Sequence, residues 1–437
     1  MARSPVVALR GLVEQLERSQ WASPEALAAF QLQHVERLAV HARAHSRMFA
    51  RRLSQAGLTA ADLGTPDGFA RLPVMTRRDV QTAGDDLHCD WVPESHGPVT
   101  HTATSGSTGE PVVVRRTLVS ALFAQAMIMR DLRWHERDLS GRLCLVRAHI
   151  PRYARHDDWG APANLFARTG PLLMLPIATD VPQLATWIRE FRPTLLVIYP
   201  GTLRAFTAHC RDCGIDLPGL TQILTVGETL SAAVRSDAAA TFGASVTDCY
   251  SSEEFGAIAI ECPESGLYHV MAEGLLVEVL DDRGTGCRPG EVGRVVVTDL
   301  HNYATPLVRY DIGDYAEVAR PCPCGRGLPA WRRIAGRERN LIVMPDGRRH
   351  WPLTGFPRVR DLVPVAQFQF VQESREEIEL RLVVDRTLTR DEEARLKTLF
   401  CETAGHPFAI RITYFKERLP CGPSGKFEEF VCCVAAN

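Results

Sequence analysis

The sequence predicts an α/β fold: a large N-terminal domain built on a parallel sheet, an antiparallel β subdomain that follows it, and a small α+β domain at the C-terminus. Three observations predict it. Between residues 143 and 242, short apolar runs alternate with segments of helical periodicity, the pattern of strands joined by crossover helices. Beyond residue 275, strand-like runs are separated by Gly, Pro and Asp turns. The chain has 437 residues, which at about 100–200 residues per domain gives two or three domains.

The elements come in this order. Residues 24–58 carry Leu27, Phe30, Val35, Leu38, Val40, Met48 and Leu53 at helical spacing, with Gly57 as the stop. Residues 99–102 and 112–114 read as strands around a polar loop. Residues 143–146, 172–176, 195–199 and 223–226 read as buried strands, and 181–191, 201–213 and 231–242 as helices between them. Residues 275–280, 293–299 and 315–318 make the antiparallel part. The last hundred residues read strand (340–344), turn (345–347), strands (367–372 and 377–384), helix (389–403) and strand (409–415). The domains are expected at 1–335 and 337–437, with the boundary near Gly336–Arg337.

Composition excludes several classes. Apolar residues make up 45% and charged residues 23%, ordinary values for a globular chain. The longest apolar runs fall far short of the roughly 20 residues of a membrane helix, and no secretory leader is evident. Fifty basic and 52 acidic residues give a net charge of −2, which favours neither nucleic acid nor an anionic membrane. Thirteen scattered cysteines without a leader point to free thiols in a reducing, cytoplasmic compartment. Three lysines (Lys397, Lys416, Lys426) stand against 47 arginines; coding bias is the plain explanation, and each lysine still draws notice because arginine cannot always replace its compact point charge.

Four segments carry chemistry. Thr104-Ser105-Gly106-Ser107-Thr108-Gly109-Glu110-Pro111 alternates hydroxyls with glycines between two strands. Glycines let the backbone bend around an anion, and hydroxyls and N–H groups can donate to phosphate oxygens. No lysine follows the second glycine, so it is not a P-loop, and a plain polar hairpin loop remains open. The other three are Asp248-Cys249-Tyr250-Ser251-Ser252-Glu253-Glu254-Phe255-Gly256, then Arg309-Tyr310-Asp311-Ile312-Gly313-Asp314 followed by Gly336-Arg337, and last Pro420-Cys421-Gly422-Pro423-Ser424-Gly425-Lys426.

In this order and spacing the four segments resemble the adenylate-forming superfamily of acyl- and aryl-CoA synthetases. The compact length and the Cys-x-Cys-Gly segment are similar to its phenylacetate–coenzyme A ligase branch. The resemblance covers the chain from about Leu72. It implies ATP-dependent activation of a small, aromatic carboxylic acid as the acyl-adenylate, followed by transfer to coenzyme A. It also implies a mobile C-terminal domain. Residue by residue, it implies that Thr104 and Ser105–Gly109 hold the ATP phosphates. Tyr250 would pack on the adenine, with Gly227 and Glu228 lining the base and Ser251 beside it. Glu254 would bind Mg²⁺, Asp314 the ribose hydroxyls, and Arg337 the ribose or phosphate. Lys426 would reach the acid's carboxylate and the α-phosphate. These types suit the chemistry: a carboxylate attacking a phosphate brings anions together, which a divalent cation and a lysine offset.

The sequence departs from the family's pattern at three points. Glu110 stands where relatives often have lysine, Glu253 adds a second negative charge beside Glu254, and Arg339 stands where a hinge aspartate is usual. They keep two alternatives open: an amine or carrier-protein thiol as acceptor, or a non-catalytic nucleotide- or acid-binding relative. The oligomeric state is left open, a homodimer included.

Cys262, His269, Cys322 and Cys324 form a candidate metal set. Three sulfurs and one imidazole suit a closed, structural zinc site, while unrelated buried thiols remain the plain alternative. The branch resembled here carries a similar set. For the acid, the loop 150–166 is expected to supply Trp159 and Phe166, with Phe255 and Ser251–Ser252 as the opposite wall.

Overall fold

The computed structural model describes residues 4–103, 112–337, 342–347, 349–350, 359–416, 419 and 430–434. The chain forms two compact units, Met1–Ile334 and Ala335–Asn437.

The first unit opens with helices α1 (Pro5–Ser19), α2 (Pro24–His45), α3 (Arg47–Gln55), α4 (Pro66–Arg71) and α5 (Arg77–Ala83). The expected 24–58 helix is broken at Ser46, whose backbone is extended. Its hydroxyl accepts from Phe49 N–H at 3.2 Å and donates to the Leu87 carbonyl at 2.9 Å, so one serine caps α3 and ties it to the following segment.

A hairpin of β1 (Val99–Ala103) and β2 (Val113–Thr117) comes next, then helix α6 (Leu118–Trp134), capped by Thr117. The alternating region supplies β3 (Leu143–Arg147), β4 (Ala154–His156), β5 (Leu172–Pro176), α7 (Val181–Phe191), β6 (Leu195–Ile198), α8 (Pro200–Asp212), β7 (Gln222–Val226), α9 (Ala232–Phe242) and β8 (Ser245–Ser252). Then come β9 (Gly256–Glu261), β10 (Tyr268–Val270), β11 (Leu275–Leu280), β12 (Val292–Asp299), β13 (Tyr310–Val318) and β14 (Ala330–Arg337).

These strands make one sheet of order β11-β12-β13-β14-β10-β9-β8-β7-β6-β3-β5-β4. Strands β5, β3, β6, β7 and β8 run parallel to one another, and β4 pairs antiparallel with β5 at the rim. The β8–β9 hairpin reverses direction, and the antiparallel strands continue the same ladder. Alternation along each parallel strand explains the covering on both faces. Leu143, Leu195 and Val197 face α1 and α6, while Cys144, Val146, Leu196 and Ile198 face α7 and α8.

The second unit holds β15 (Ile342–Val343), β16 (Arg349–His350), α10 (Val359–Leu362), β17 (Gln367–Gln372), β18 (Glu377–Val383), α11 (Arg390–Ala404), β19 (Ala409–Phe415) and β20 (Phe430–Cys432). Its four-stranded sheet has the order β19-β18-β17-β20. A reciprocal Thr389–Glu392 box starts α11. Phe368, Phe370, Leu380, Leu396 and Phe400 fill its own core. No helix among the described residues is long and apolar enough to cross a membrane.

Candidate active site

An open α/β sheet places its binding loops at the carboxyl ends of its parallel strands. Here β7 ends at Val226, paired with Cys249 of β8. The turn beyond β7 is Gly227, whose φ of +75° suits glycine, and Glu228. The Glu228 carboxylate accepts the Gly201 N–H at 2.7 Å, so the turn is latched to the first residues of α8.

Strand β8 delivers Tyr250 to the same edge. Asp248, two residues earlier, is buried and accepts from Thr225 Oγ1 at 2.5 Å and Tyr268 Oη at 2.8 Å. Burial pushes its carboxyl up to about 6 against those two hydrogen bonds. Tyr250 Oη donates to Asp314 Oδ2 at 2.7 Å. Asp314 is itself buried, on β13.

The turn between β8 and β9 carries the acids. Phe255 N–H donates to Ser252 Oγ at 3.2 Å, and Gly256 adopts φ +73°. Within this short turn the two glutamates diverge: Glu253 is exposed, while Glu254 is 6% exposed. The extra charge at Glu253 is therefore turned to water, where it is screened, and its carbonyl receives Arg116 Nη2 at 2.5 Å. Arg77 Nη1 lies 3.9 Å from the Glu254 carboxylate. A reciprocal Thr76–Asp79 box sets Arg77 at the start of α5, and Met75 bonds Arg309 O at 2.7 Å and Asp311 N at 2.9 Å. Arg77 was missed in the sequence; its one signal was that Thr-x-x-Asp box.

Arg309 adopts φ +52° with its guanidinium buried. Its Nε and Nη2 donate to the Glu278 carboxylate at 2.9 Å, and its Nη1 donates to the carbonyls of Ala70 and Leu72. This holds the start of β13, and with it Asp314, against the α4–α5 connection.

Behind the acid turn lies a narrow cleft between α6 and β9. Ser120, Phe123, Met127, Phe255, Met271 and Asp299 are among its walls.

A separate cluster joins β10 to the loop before β14. The ligand atoms of Cys262, His269, Cys322 and Cys324 all lie within 4.8 Å of one another. Cys322 and Cys262 sulfurs are 3.8 Å apart, and His269 Nε2 is 3.2 Å from Cys324 Sγ. His269 Nδ1 faces the Leu328 carbonyl at 3.3 Å, which fixes the proton on Nδ1 and leaves Nε2 as a lone pair toward the sulfurs. Arg326 lies over Trp134 at 4.6 Å and over Trp21 at 4.9 Å from the ring centroids, covering one side.

A family model described as AMP-binding enzyme matches residues 76–302. The chain belongs to the AMP-binding enzyme family. Among curated proteins, it is 25% identical over 341 residues to a phenylacetate–coenzyme A ligase of Thermus thermophilus, covering 73% of this chain and 72% of that one. It is 26% identical to the phenylacetate–coenzyme A ligase of Escherichia coli, with 76% and 75% covered. Among solved structures, a 2-hydroxyisobutyryl-CoA ligase in the postadenylation state superposes with a TM-score of 0.72 at 18% identity, covering 92% of this chain and 88% of that one. An anthranilate CoA ligase superposes at 0.58 and 16% identity, covering 75% and 65%. At such identities the likeness is one of fold.

Within this AMP-binding fold the structure brings Gly227, Glu228, Tyr250, Ser251, Glu254, Phe255 and Asp314 to one edge of the sheet. It does not bring Trp159 and Phe166 there, which corrects the expected acid pocket. Trp159 is buried, its Nε1–H donating to the Gly141 carbonyl at 3.0 Å and its N–H to Thr169 Oγ1 at 2.9 Å. Both partners precede strands, so Trp159 sits at the amino ends of β3 and β5, opposite Tyr250. Phe166 packs against Arg10 of α1 and Arg133 of α6. The aromatics of 150–166 therefore close the core. Residues 104–111, Lys426 and Arg339, and the side chain of Arg337, lie outside the described residues. The closing pair of the loop-bearing hairpin, Ala103 and Val113, is described.

Proposed function

We propose that this chain is an AMP-forming acid–thiol ligase acting on a small, aromatic carboxylic acid. In the first step the acid's carboxylate oxygen attacks the α-phosphorus of ATP, the bond to the β-phosphate oxygen breaks, and pyrophosphate leaves. In the second, the sulfur of coenzyme A attacks the acyl carbon, the thiol proton is lost, and AMP leaves. One observation carries the reading: Tyr250, Asp314 and the buried Glu254 converge at the carboxyl edge of the parallel sheet, where an aromatic face, a diol acceptor and a cation ligand are wanted together. The membership in the AMP-binding family and the names of the curated relatives support it.

The residues take these roles in the proposal. Tyr250 covers the adenine, with Gly227, Glu228 and Ser251 beside it. Asp314 exchanges its Tyr250 hydrogen bond for, or shares it with, the ribose hydroxyls. Glu254 is suited to Mg²⁺: it is a buried carboxylate whose nearby Arg77 stands off at 3.9 Å, and Mg²⁺ takes one or two carboxylates together with substrate phosphates. Bound there, Mg²⁺ neutralises phosphate charge. Thr104, Ser105, Gly106, Ser107, Thr108 and Gly109 hold the departing pyrophosphate, and Arg337 the ribose or phosphate. Lys426 supplies the positive charge between the two reacting anions. Phe255 belongs to the acid's wall. Residues 337–437 are proposed to move about Gly336–Arg337 between the two steps.

The test is pyrophosphate release from ATP with a panel of aryl and short-chain acids, each with and without coenzyme A. Release that needs one acid and multiplies with coenzyme A is expected. Acid-dependent release that coenzyme A leaves unchanged would move the acceptor to an amine or a carrier-protein thiol. No release with any acid would overturn the ligase reading.

The cysteine–histidine cluster is proposed as a structural zinc site. Zinc–sulfur bonds of about 2.3 Å in a tetrahedron set sulfurs roughly 3.8 Å apart, the separation of Cys262 and Cys322. The Leu328 carbonyl behind His269 is the outer partner that such imidazole ligands use. About one zinc per chain is expected in protein purified without added metal, and stripping it should lower the melting temperature. A folded, metal-free protein of unchanged stability would remove the assignment.

A further inference from the structure

Given the ligase reading, on which the substrate class inferred from it rests, the cleft behind the acid turn carries information about the acid. Gly274 lies in its wall and Gly256 beside it, and a side chain at either would take up van der Waals room. A Cβ at Gly274 would lie 3.5 Å from Phe123 Cδ1 and 3.7 Å from Met127 Cε, and one at Gly256 would lie 3.5 Å from Ala124 Cβ. The free space between the walls is about 20 Å³, room for one water. The walls are nonetheless able to yield, since Met127 and Met271 are unbranched thioethers that repack around a guest.

Polar atoms interrupt this apolar surface at Ser120 and Asp299. Asp299 ends β12 and is buried. Its Oδ1 accepts from the N–H groups of His301 at 2.9 Å and Asn302 at 3.1 Å. Its Oδ2 has, among the described residues, only the Ser120 hydroxyl at 3.3 Å, long for a hydroxyl–carboxylate bond, which is ordinarily about 2.5–2.7 Å. The two oxygens are thus unequally served: one braces the loop 299–302, and the other keeps acceptor capacity beside apolar side chains. Burial works against the Asp299 charge and the nearby Arg116 partly offsets it; a guest that brings a donor to Oδ2 lowers the remaining cost.

We propose that the cleft is built for a small acid whose end remote from the reacting carboxylate bears a hydroxyl or amino group, which donates to Asp299 Oδ2 beside Ser120. The substrate class is hydroxy- or amino-substituted aryl acids. Plain hydrocarbon acids leave Asp299 Oδ2 with no hydrogen-bond donor beyond Ser120 among the described residues, and are discriminated against on that ground.

The experiment measures kcat/KM for pyrophosphate release with matched acids: benzoate against 4-hydroxybenzoate and 4-aminobenzoate, and phenylacetate against 4-hydroxyphenylacetate. The donor-bearing member is expected to be favoured about ten- to hundredfold, the scale of one hydrogen bond to a charged group. Asp299→Asn keeps an oxygen for the His301 and Asn302 N–H groups, so it should melt near the wild type while losing the preference. Ser120→Ala should weaken the preference without abolishing it. Equal kcat/KM within each pair in the wild type would overturn the proposal and leave the ligase reading standing. So would an equal fall for both members of a pair in Asp299→Asn, which would make Asp299 a loop brace alone. No turnover with any acid is a different failure, that of the ligase reading, and the proposal falls with it.

Discussion

Glu254→Gln is expected to lower kcat/KM for acid-dependent pyrophosphate release by about 10²–10³-fold, the cost of removing one preorganised charge-stabilising group. The substitution is nearly isosteric, so the turn between β8 and β9 should persist: Phe255 N–H would still bond Ser252 Oγ. What changes is the charge of a 6%-exposed side chain at the place proposed for Mg²⁺. The loss should therefore be accompanied by a raised Mg²⁺ requirement. The neighbour gives the control. Glu253 is exposed, and Glu253→Gln should stay within about threefold of wild type, since an exposed charge is screened by water and salt. Two glutamates, adjacent in sequence, would then differ by two orders of magnitude in effect. Equal, small effects from both would remove Glu254 from the catalytic machinery.

Arg309→Met carries the largest expected cost in stability, about 3–5 kcal/mol, as is found when one partner of a buried pair is removed. Both nitrogens of Arg309 that face Glu278 would be lost, together with donors to the Ala70 and Leu72 carbonyls. Burial already pushes the Glu278 carboxyl upward, and Arg309 is what opposes it. Without the arginine, Glu278 should take up a proton more readily, and the variant should lose less stability at acidic pH than at neutral pH. Urea unfolding at pH 5 and pH 8 measures both. Adding Glu278→Gln should recover part of the loss by removing the stranded charge. A loss under about 1 kcal/mol at pH 8, or no recovery in the double variant, would contradict this account.

The parallel half of the sheet was legible in the sequence because strands buried on both faces are short apolar runs, as in 195–199, and β5, β6 and β7 are each followed by a helix. The candidate loops stood out for a related reason: glycine and small polar residues gathered between strands break the apolar pattern on either side. Helix α6 was not read. Arg130, Asp131 and Ser120 are all buried within it, so polar residues lie on faces that a periodicity argument assigns to solvent. Arg130 is paired with Glu273 at 2.7 Å, a partner distant in sequence that no local pattern indicates. Trp159 and Phe166 were misplaced for another reason. An aromatic loop after a strand says nothing about which end of the sheet it returns to, and here β4 runs antiparallel to β5 and carries the loop back to the amino ends. The parallel sheet and antiparallel subdomain of the N-terminal domain are both present, and hydrogen bonding through β8–β9 joins them in one ladder, a connection that no local pattern in the sequence indicates.

That ladder has two outer rims, β4 and β11, and each is blunted in a different way. At one end β4 is three residues long and presents Arg155 and His156 to solvent, a rim too short and too charged to template a neighbour. At the other end β11 is longer and more apolar, but the carbonyls of Leu275 and Val279 are taken. Gln31 of α2 donates to Leu275 O at 2.9 Å, and the turn 281–287 folds back so that Cys287 N–H takes Val279 O at 2.8 Å. A sheet of twelve strands exposes as much aggregation-competent backbone as its two rims leave open. This chain blunts one rim with charge and shortness and caps part of the other with Gln31 of α2 and the turn 281–287, so that a helix packed on the core also takes up rim backbone that another strand would need.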